Sequence, residues 1–202
     1  MTTRVAPVPQ SFLTRALYPK VTVAEYHQMI KDGVFEDGDP IELLEGYLVQ
    51  KMSHNTPHGV GVLWLDKRLH RLLLNGWEVR IQLPITLSDS EPEPDGVVAR
   101  GDDRTFLAHH PLPDEIGLVA EVADSSRYSD RREKGRVYAR AGIPVYWIIN
   151  VVDRQIEVYT DPDATANPPA YRTRTDYAPG DAVPITLDGA AVGTIPVSEL
   201  VP

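Results

Sequence analysis

Cysteine is absent from the 202 residues. That excludes disulfides and thiolate metal sites, and it fits a reducing compartment. No stretch approaches the roughly 18–20 apolar residues that cross a bilayer. Residues 1–9 hold no apolar core of the kind a secretory signal needs, so a cytoplasmic protein with no membrane contact is expected. Positive charge is scarce too: 20 Lys and Arg face 29 Asp and Glu, a net charge of −9. Such a body does not coat nucleic acid non-specifically, and any contact with a polyanion must be local. A Gly-rich phosphate loop is missing, no nucleophile elbow surrounds Ser125 and Ser126, and no histidine is placed for a triad.

What is present points to one α/β domain. Hydrophobic content of 42% supplies a proper core. The Pro-rich, aperiodic residues 1–20 read as an arm ordered only by contact, and residues 21–202 as a single domain. Thr22-Val-Ala-Glu25 is a capping box opening a short helix that stops near Gly33. Residues 41–51 read as a hairpin turning at Glu45-Gly46. Thr56-Pro57 starts the main core helix, with Val62, Leu65, Leu69, Leu72 and Leu73 at helical spacing, ending at Asn75-Gly76. Short β pieces follow at 78–83 and 96–99, separated by a Pro/acid loop over 88–94, and residues 100–117 read as loop. A strand over 118–123, a helix over 130–141 and a strand over 145–152 form a crossover unit, which makes the two strands parallel in a mixed sheet. Residues 155–160 are its hairpin partner, 161–170 a linker, and 171–175, 183–187 and 195–200 smaller edge strands.

Three charges stand where apolar residues belong. Asp95 opens a valine run, Glu121 interrupts the apolar strand Leu118-Val-Ala-Glu-Val-Ala123, and Lys134 sits on the following helix. A buried, unpaired carboxylate is costly, so such charges must serve one another or a metal. Lys134 shares a helix face with Tyr138 and Ala141, and the crossover lays that face over the strand it left, within reach of Glu121. Two carboxylates on adjacent strands can hold Mg²⁺ or Mn²⁺ with coordination positions left for water and phosphate. An ammonium beside them can orient water or neutralise the phosphorane, which is the equipment of phosphodiester hydrolysis.

The segments Ile41-Glu-Leu-Leu-Glu-Gly46, Pro57-His58-Gly59, Glu93-Pro-Asp95 and Leu118–Ser126 carry a resemblance. It continues through Asp130, Lys134, Tyr138, Ala141–Trp147 and Val158-Tyr159. Together they resemble the Uma-two family of restriction-type endonucleases within the PD-(D/E)XK superfamily, over roughly residues 20–160. The resemblance implies a restriction-endonuclease-like fold, a mixed central sheet flanked by helices, and a divalent metal at Asp95 and Glu121. It also implies Lys134 as the superfamily's lysine moved from strand to helix, and Glu42 as an acid completing the metal shell. Departures exist: Ala123 stands where the superfamily lysine would be, and Tyr47 where the family often has an acid. By analogy with enzymes that cut two strands, a homodimer acting on DNA is expected.

Plainer readings stand beside these. Glu121 with Lys134 can be a structural ion pair, and the chain a non-catalytic nucleic-acid-binding or dimerisation module that keeps the fold. A hydrolase acting on something smaller than nucleic acid is a third option. Glu42 can face solvent, Asp130 can be a helix-start charge, and His54 and His58 belong to a loop and a first turn. Asp89, Glu91 and Glu93 read as a solvated loop. Arg127, Arg131, Arg132, Arg136 and Arg140 are either a solvated face or a phosphate-contacting strip.

Overall fold

The computed structural model describes residues 19–35, 38–51, 55–72, 76–102, 104–124 and 126–202. The expected N-terminal arm, His54 and the Asn75 helix end therefore lie almost wholly outside the described residues.

Helix α1 (Val23–Lys31) begins as its sequence dictates. The Thr22 Oγ1 accepts from the Glu25 N–H at 3.2 Å, and the Glu25 carboxylate accepts from the Thr22 N–H at 2.8 Å. Strands β1 (Ile41–Leu44) and β2 (Tyr47–Gln50) form a two-residue hairpin. Its turn residues Glu45 and Gly46 both have positive φ, 53° and 80°, the twist that lets a tight hairpin close. Helix α2 (Thr56–Leu72) buries Gly61, Val62, Leu65 and Leu69 on one face.

The centre is a six-stranded mixed sheet in sequence order. It comprises β3 (Trp77–Arg80), β4 (Gly96–Arg100), β5 (Ile116–Ala123), β6 (Val145–Asn150), β7 (Gln155–Asp163) and β8 (Ala170–Tyr177). Only β5 and β6 run parallel, Val119 opposite Tyr146 and Glu121 opposite Ile148; every other pair is antiparallel. The parallel pair is joined by helix α3, an α-turn Arg127–Ser129, a π-helical stretch Asp130–Lys134 and an α-helical end Gly135–Arg140. All eight residues of β5 are buried, as befits a strand covered on both faces.

Each sheet face carries its own core. One packs Leu65 and Leu69 of α2, with Val183, Ile185 and Ile195 of the separate hairpin β9 (Ala182–Leu187) and β10 (Ala190–Pro196), onto Leu118, Val122 and Trp147. The other packs Val137 and Tyr138 of α3 onto Val97, Val119, Tyr146 and Ile148. Glycines let α2 approach closely. A Cβ at Gly61 would lie 2.8 Å from Val122 Cγ1, and one at Gly96 2.7 Å from Leu65 Cδ2.

Four expectations need correction. The β piece over 78–83 is shorter and ends at Arg80, because positive φ at Gln82 breaks the strand. The loop 100–117 contains two short 3₁₀ turns, and β5 starts already at Ile116. The linker 161–170 is mostly strand, since β7 runs to Asp163 and β8 starts at Ala170. The last segment is β10 followed by a 3₁₀ turn, Val197–Glu199, paired with β9 rather than on the main sheet.

Candidate active site

Strand pairing sets the centre of the site. Gly96 lies opposite Ala120 in the β4–β5 ladder, so Asp95, one residue before β4, arrives beside Glu121 and Val122. There Asp95 Oδ2 accepts from the Val122 N–H at 2.8 Å and pairs with His58 Nε2 at 3.0 Å, while Oδ1 meets Gln82 Nε2 at 3.3 Å. Burial pushes the Asp95 carboxyl up, but the His58 hydrogen bond and charge, with Lys134 and Val122, more than offset this and hold it below the ordinary range.

Glu121 follows the alternation of β5 and faces α3. Its Oε1 accepts from Lys134 Nζ at 2.9 Å and from the Tyr138 hydroxyl at 2.7 Å. The sequence argument that Lys134 reaches back across the crossover is thus met in the structure. Helical spacing puts Tyr138 one turn beyond Lys134, so the helix delivers two donors to one oxygen.

Two more acids complete the cluster. Asp130 is buried and accepts from Ser126 Oγ at 2.5 Å. Glu42 is buried too, its Oε2 accepting from the Glu93 N–H at 3.2 Å. The solvent-facing reading of Glu42 is corrected here, since its side chain is buried; Asp130 does stand in the first turn of a helical stretch, as a helix-start charge would, but it is buried as well. Asp130 opens the π-helical stretch.

Glu42, Asp95, Glu121 and Asp130 thus crowd about one ammonium. Burial, opposed by Lys134 and reinforced by Asp95 and Asp130, pushes Glu121 up to about 8. Burial likewise raises Asp130 to about 6. Desolvation alone would lower Lys134, yet the charges of Glu121, Glu42, Asp130 and Asp95 outweigh it and hold the ammonium well above its usual range. A salt bridge alone would depress Glu121. Its rise is mainly the cost of desolvating a fully enclosed carboxyl, with the neighbouring Asp95 and Asp130 adding to it.

Buried carboxylate oxygens with no sulfur among them suit a hard divalent cation such as Mg²⁺ or Mn²⁺. Among the described residues, no three acidic or histidine side chains are already drawn together as a ligand set. Hydrogen bonds to Glu121 fall on Oε1, and those to Asp95 are closer on Oδ2 than on Oδ1, so Oε2 of Glu121 and Oδ1 of Asp95 are the less engaged oxygens of these two residues.

His58 and Tyr138 are the residues that sequence reasoning missed as site members. Pro57 and the helix start obscured the former, although its place at the head of the core helix was a usable signal. The Pro/acid loop is also not simply solvated. Glu91 is buried and bonds His27 Nε2 at 2.7 Å and Thr86 Oγ1 at 2.7 Å, and Glu93 pairs with Lys51 at 2.5 Å. The arginine strip is mostly turned inward: Arg131 pairs with Glu157, Arg136 with Glu45, and Arg140 with Glu45 and Asp89. The Arg127 side chain lies outside what is described.

The mixed central sheet flanked by helices is a restriction-endonuclease-like fold, and it is similar to that of a solved structure. That structure is a "putative nuclease belonging to DUF820" from Anabaena variabilis ATCC 29413. It superposes with a TM-score of 0.66 at 13% identity, covering 89% of this chain and 97% of that one. The chain belongs to the Uma2 family, described as "Putative restriction endonuclease", whose model matches residues 23–192. No curated protein matches the sequence. Among the described residues no helix is long and apolar enough to cross a membrane.

Proposed function

We propose that the protein is a Mg²⁺- or Mn²⁺-dependent endonuclease that hydrolyses phosphodiester bonds of DNA. The observation that carries this reading is the meeting of Lys134 Nζ and Glu121 Oε1 at 2.9 Å beside Asp95, inside a cluster of buried acids. Asp95 and Glu121 hold the metal, with Glu42 assisting; the ion would supply Lewis-acid polarisation of the phosphoryl oxygen.

The protein's own groups do the rest. His58 and the Val122 N–H lock the Asp95 rotamer, a positioning role. Lys134 is an ammonium at neutral pH, so it orients the attacking water and neutralises charge on the phosphorane rather than removing a proton. Tyr138 fixes Glu121 Oε1 from the same helix and leaves Oε2 to the metal side. Cytoplasmic location and a homodimer cutting both strands belong to the same reading.

One observation favours a non-catalytic module: Lys134 and Tyr138 already satisfy one Glu121 oxygen, as in a structural ion pair. Plasmid nicking with Mg²⁺, Mn²⁺ or EDTA decides between the two, with Glu121→Gln as the control. Metal-dependent nicking lost in Glu121→Gln is the expected result. Nicking that persists in that variant sinks the assignment, and DNA binding without cleavage under either metal favours the module.

A further inference from the structure

Between α3 and the β7–β8 hairpin lies a cleft of about 870 Å³. Its floor is aromatic. Tyr159 and Tyr171 lie 6.1 Å apart between ring centroids and pack on the buried Tyr146 at 5.7 and 6.0 Å. Its wall is cationic, with Arg131, Arg132 and Arg136 against the single acid Glu133, in a chain of net charge −9. The three arginines differ in kind. Arg131 and Arg136 are tied to Glu157 and Glu45 and act as fixed walls. Arg132 has no carboxylate partner among the described residues. Its guanidinium lies 5.2 Å over the Tyr128 ring, and Nη1 donates to the Tyr128 hydroxyl at 3.2 Å. Tyr128 itself is 70% exposed at the lip of the cleft.

We infer that this cleft is a binding site for an unpaired nucleotide of single-stranded nucleic acid, its base against the tyrosines and its phosphate at Arg132. The ligand class rests on the nuclease reading above; the choice of single strand rests on the cleft. Base pairs in a duplex have both faces already stacked, so a concave aromatic floor can accept only an unstacked base. The volume falls in the range of small-molecule sites and exceeds one nucleotide's needs. One helix serves both places: α3 sends Lys134 inward to Glu121, while Arg131, Arg132, Gly135 and Arg136 line the cleft. A strand anchored in the cleft therefore lies one helix width from the acid cluster.

The test uses the full chain carrying Glu121→Gln, so that the ligand survives, in Mg²⁺ buffer. Binding of a fluorescent oligothymidylate of about 12 nucleotides is compared with a duplex of similar length, before and after adding Tyr128→Ala and Arg132→Gln. The pair of substitutions should weaken single-strand binding about tenfold or more and leave the duplex within about threefold. Arg132→Gln alone should reduce the salt slope by about one counterion, and Tyr128→Trp should retain binding. Both side chains are exposed, and an unchanged melting temperature confirms that the fold is intact. Unchanged single-strand affinity, or equal losses on both ligands, overturns the inference. Sensitive single-strand binding in a protein that never nicks plasmid leaves the cleft standing and removes the nuclease reading instead.

Discussion

Glutamine at position 121 keeps the shape of the site and removes a charge that burial makes costly in the folded protein. Glu121 stands at about 8 against an ordinary 4.5. At about 1.4 kcal/mol per pH unit, that gap sets an upper bound of about 5 kcal/mol on the cost of ionising it in the native state. Asp130 shares the strain, and glutamine makes a poorer partner for Lys134. A net gain of about 1–3 kcal/mol is therefore expected for the metal-free variant at about pH 8. The sign follows from proton counting. A carboxyl raised in the folded state keeps its proton longer there than in the unfolded chain, so wild-type stability falls as pH climbs from 4.5 to about 8 and then levels. Glu121→Gln loses that slope, and the two proteins converge toward about pH 5. For a chain of this size the gain at the alkaline end is a melting temperature roughly 3–10 °C higher. Calorimetric scans in EDTA across this range measure it, and scans with Mg²⁺ add a second reading. Metal at about 100 times its Kd should stabilise the wild type by about 2.7 kcal/mol and the variant hardly at all. A variant less stable than wild type at every pH, with its Mg²⁺ response intact, would refute the reasoning and make Glu121 a structural partner of Lys134.

Lys134→Met strips from the acid cluster the only ammonium found there among the described residues, so it should cost about 3–5 kcal/mol at about pH 8 and less at low pH, where protonated acids no longer repel; urea midpoints at both pH values check this. Glu157 behaves oppositely to Glu121. Burial raises it, but hydrogen bonds from Arg131, Tyr159 and Asn150 prevail and hold it at about 2. Its contribution is complete above 4.5 and fades as pH falls toward about 2. Allowing for screening of the partly exposed arginines, it amounts to about 1–2 kcal/mol, which Glu157→Gln should lose at pH 7 but not at about pH 2.5, as denaturant midpoints would show. Gly61→Ala drives a methyl to 2.8 Å from Val122 Cγ1, the β-branched neighbour of Glu121. It should destabilise by about 1–3 kcal/mol and lower nicking by displacing His58; full activity with unchanged stability would contradict the packing.

Secondary structure around the site was readable because its signals are local. The capping box at Thr22, the Glu45-Gly46 turn and the apolar spacing of α2 each act within a few residues. Glu121, Lys134 and their contact were readable for a related reason, since strand alternation, helix period and a short crossover together constrain where two side chains point. Where many distant groups share one space, that logic fails. Glu42 had a plausible exposed position and Asp130 a plain role as a helix-start charge, and only the packing of distant segments, such as the β1–β2 hairpin bridged to the Pro/acid loop at Leu43 and Glu91, buries them. The arginine run on α3 shows the same limit. Its composition is basic, but whether a guanidinium meets solvent or Glu45 depends on a hairpin 91 residues away.

The amino-acid sequence by itself determined the α/β architecture, the crossover that joins β5 to β6, and the pairing of Lys134 with Glu121, because each follows from short-range periodicity and chain connectivity. Tertiary structure alone decided the charge balance of the site. It brought His58 to Asp95, turned Glu42 and Asp130 inward, and left one ammonium among four buried acids. Desolvation and Coulomb forces act through space rather than along the chain, so the raised carboxyls of Glu121 and Asp130 exist only once the fold has formed.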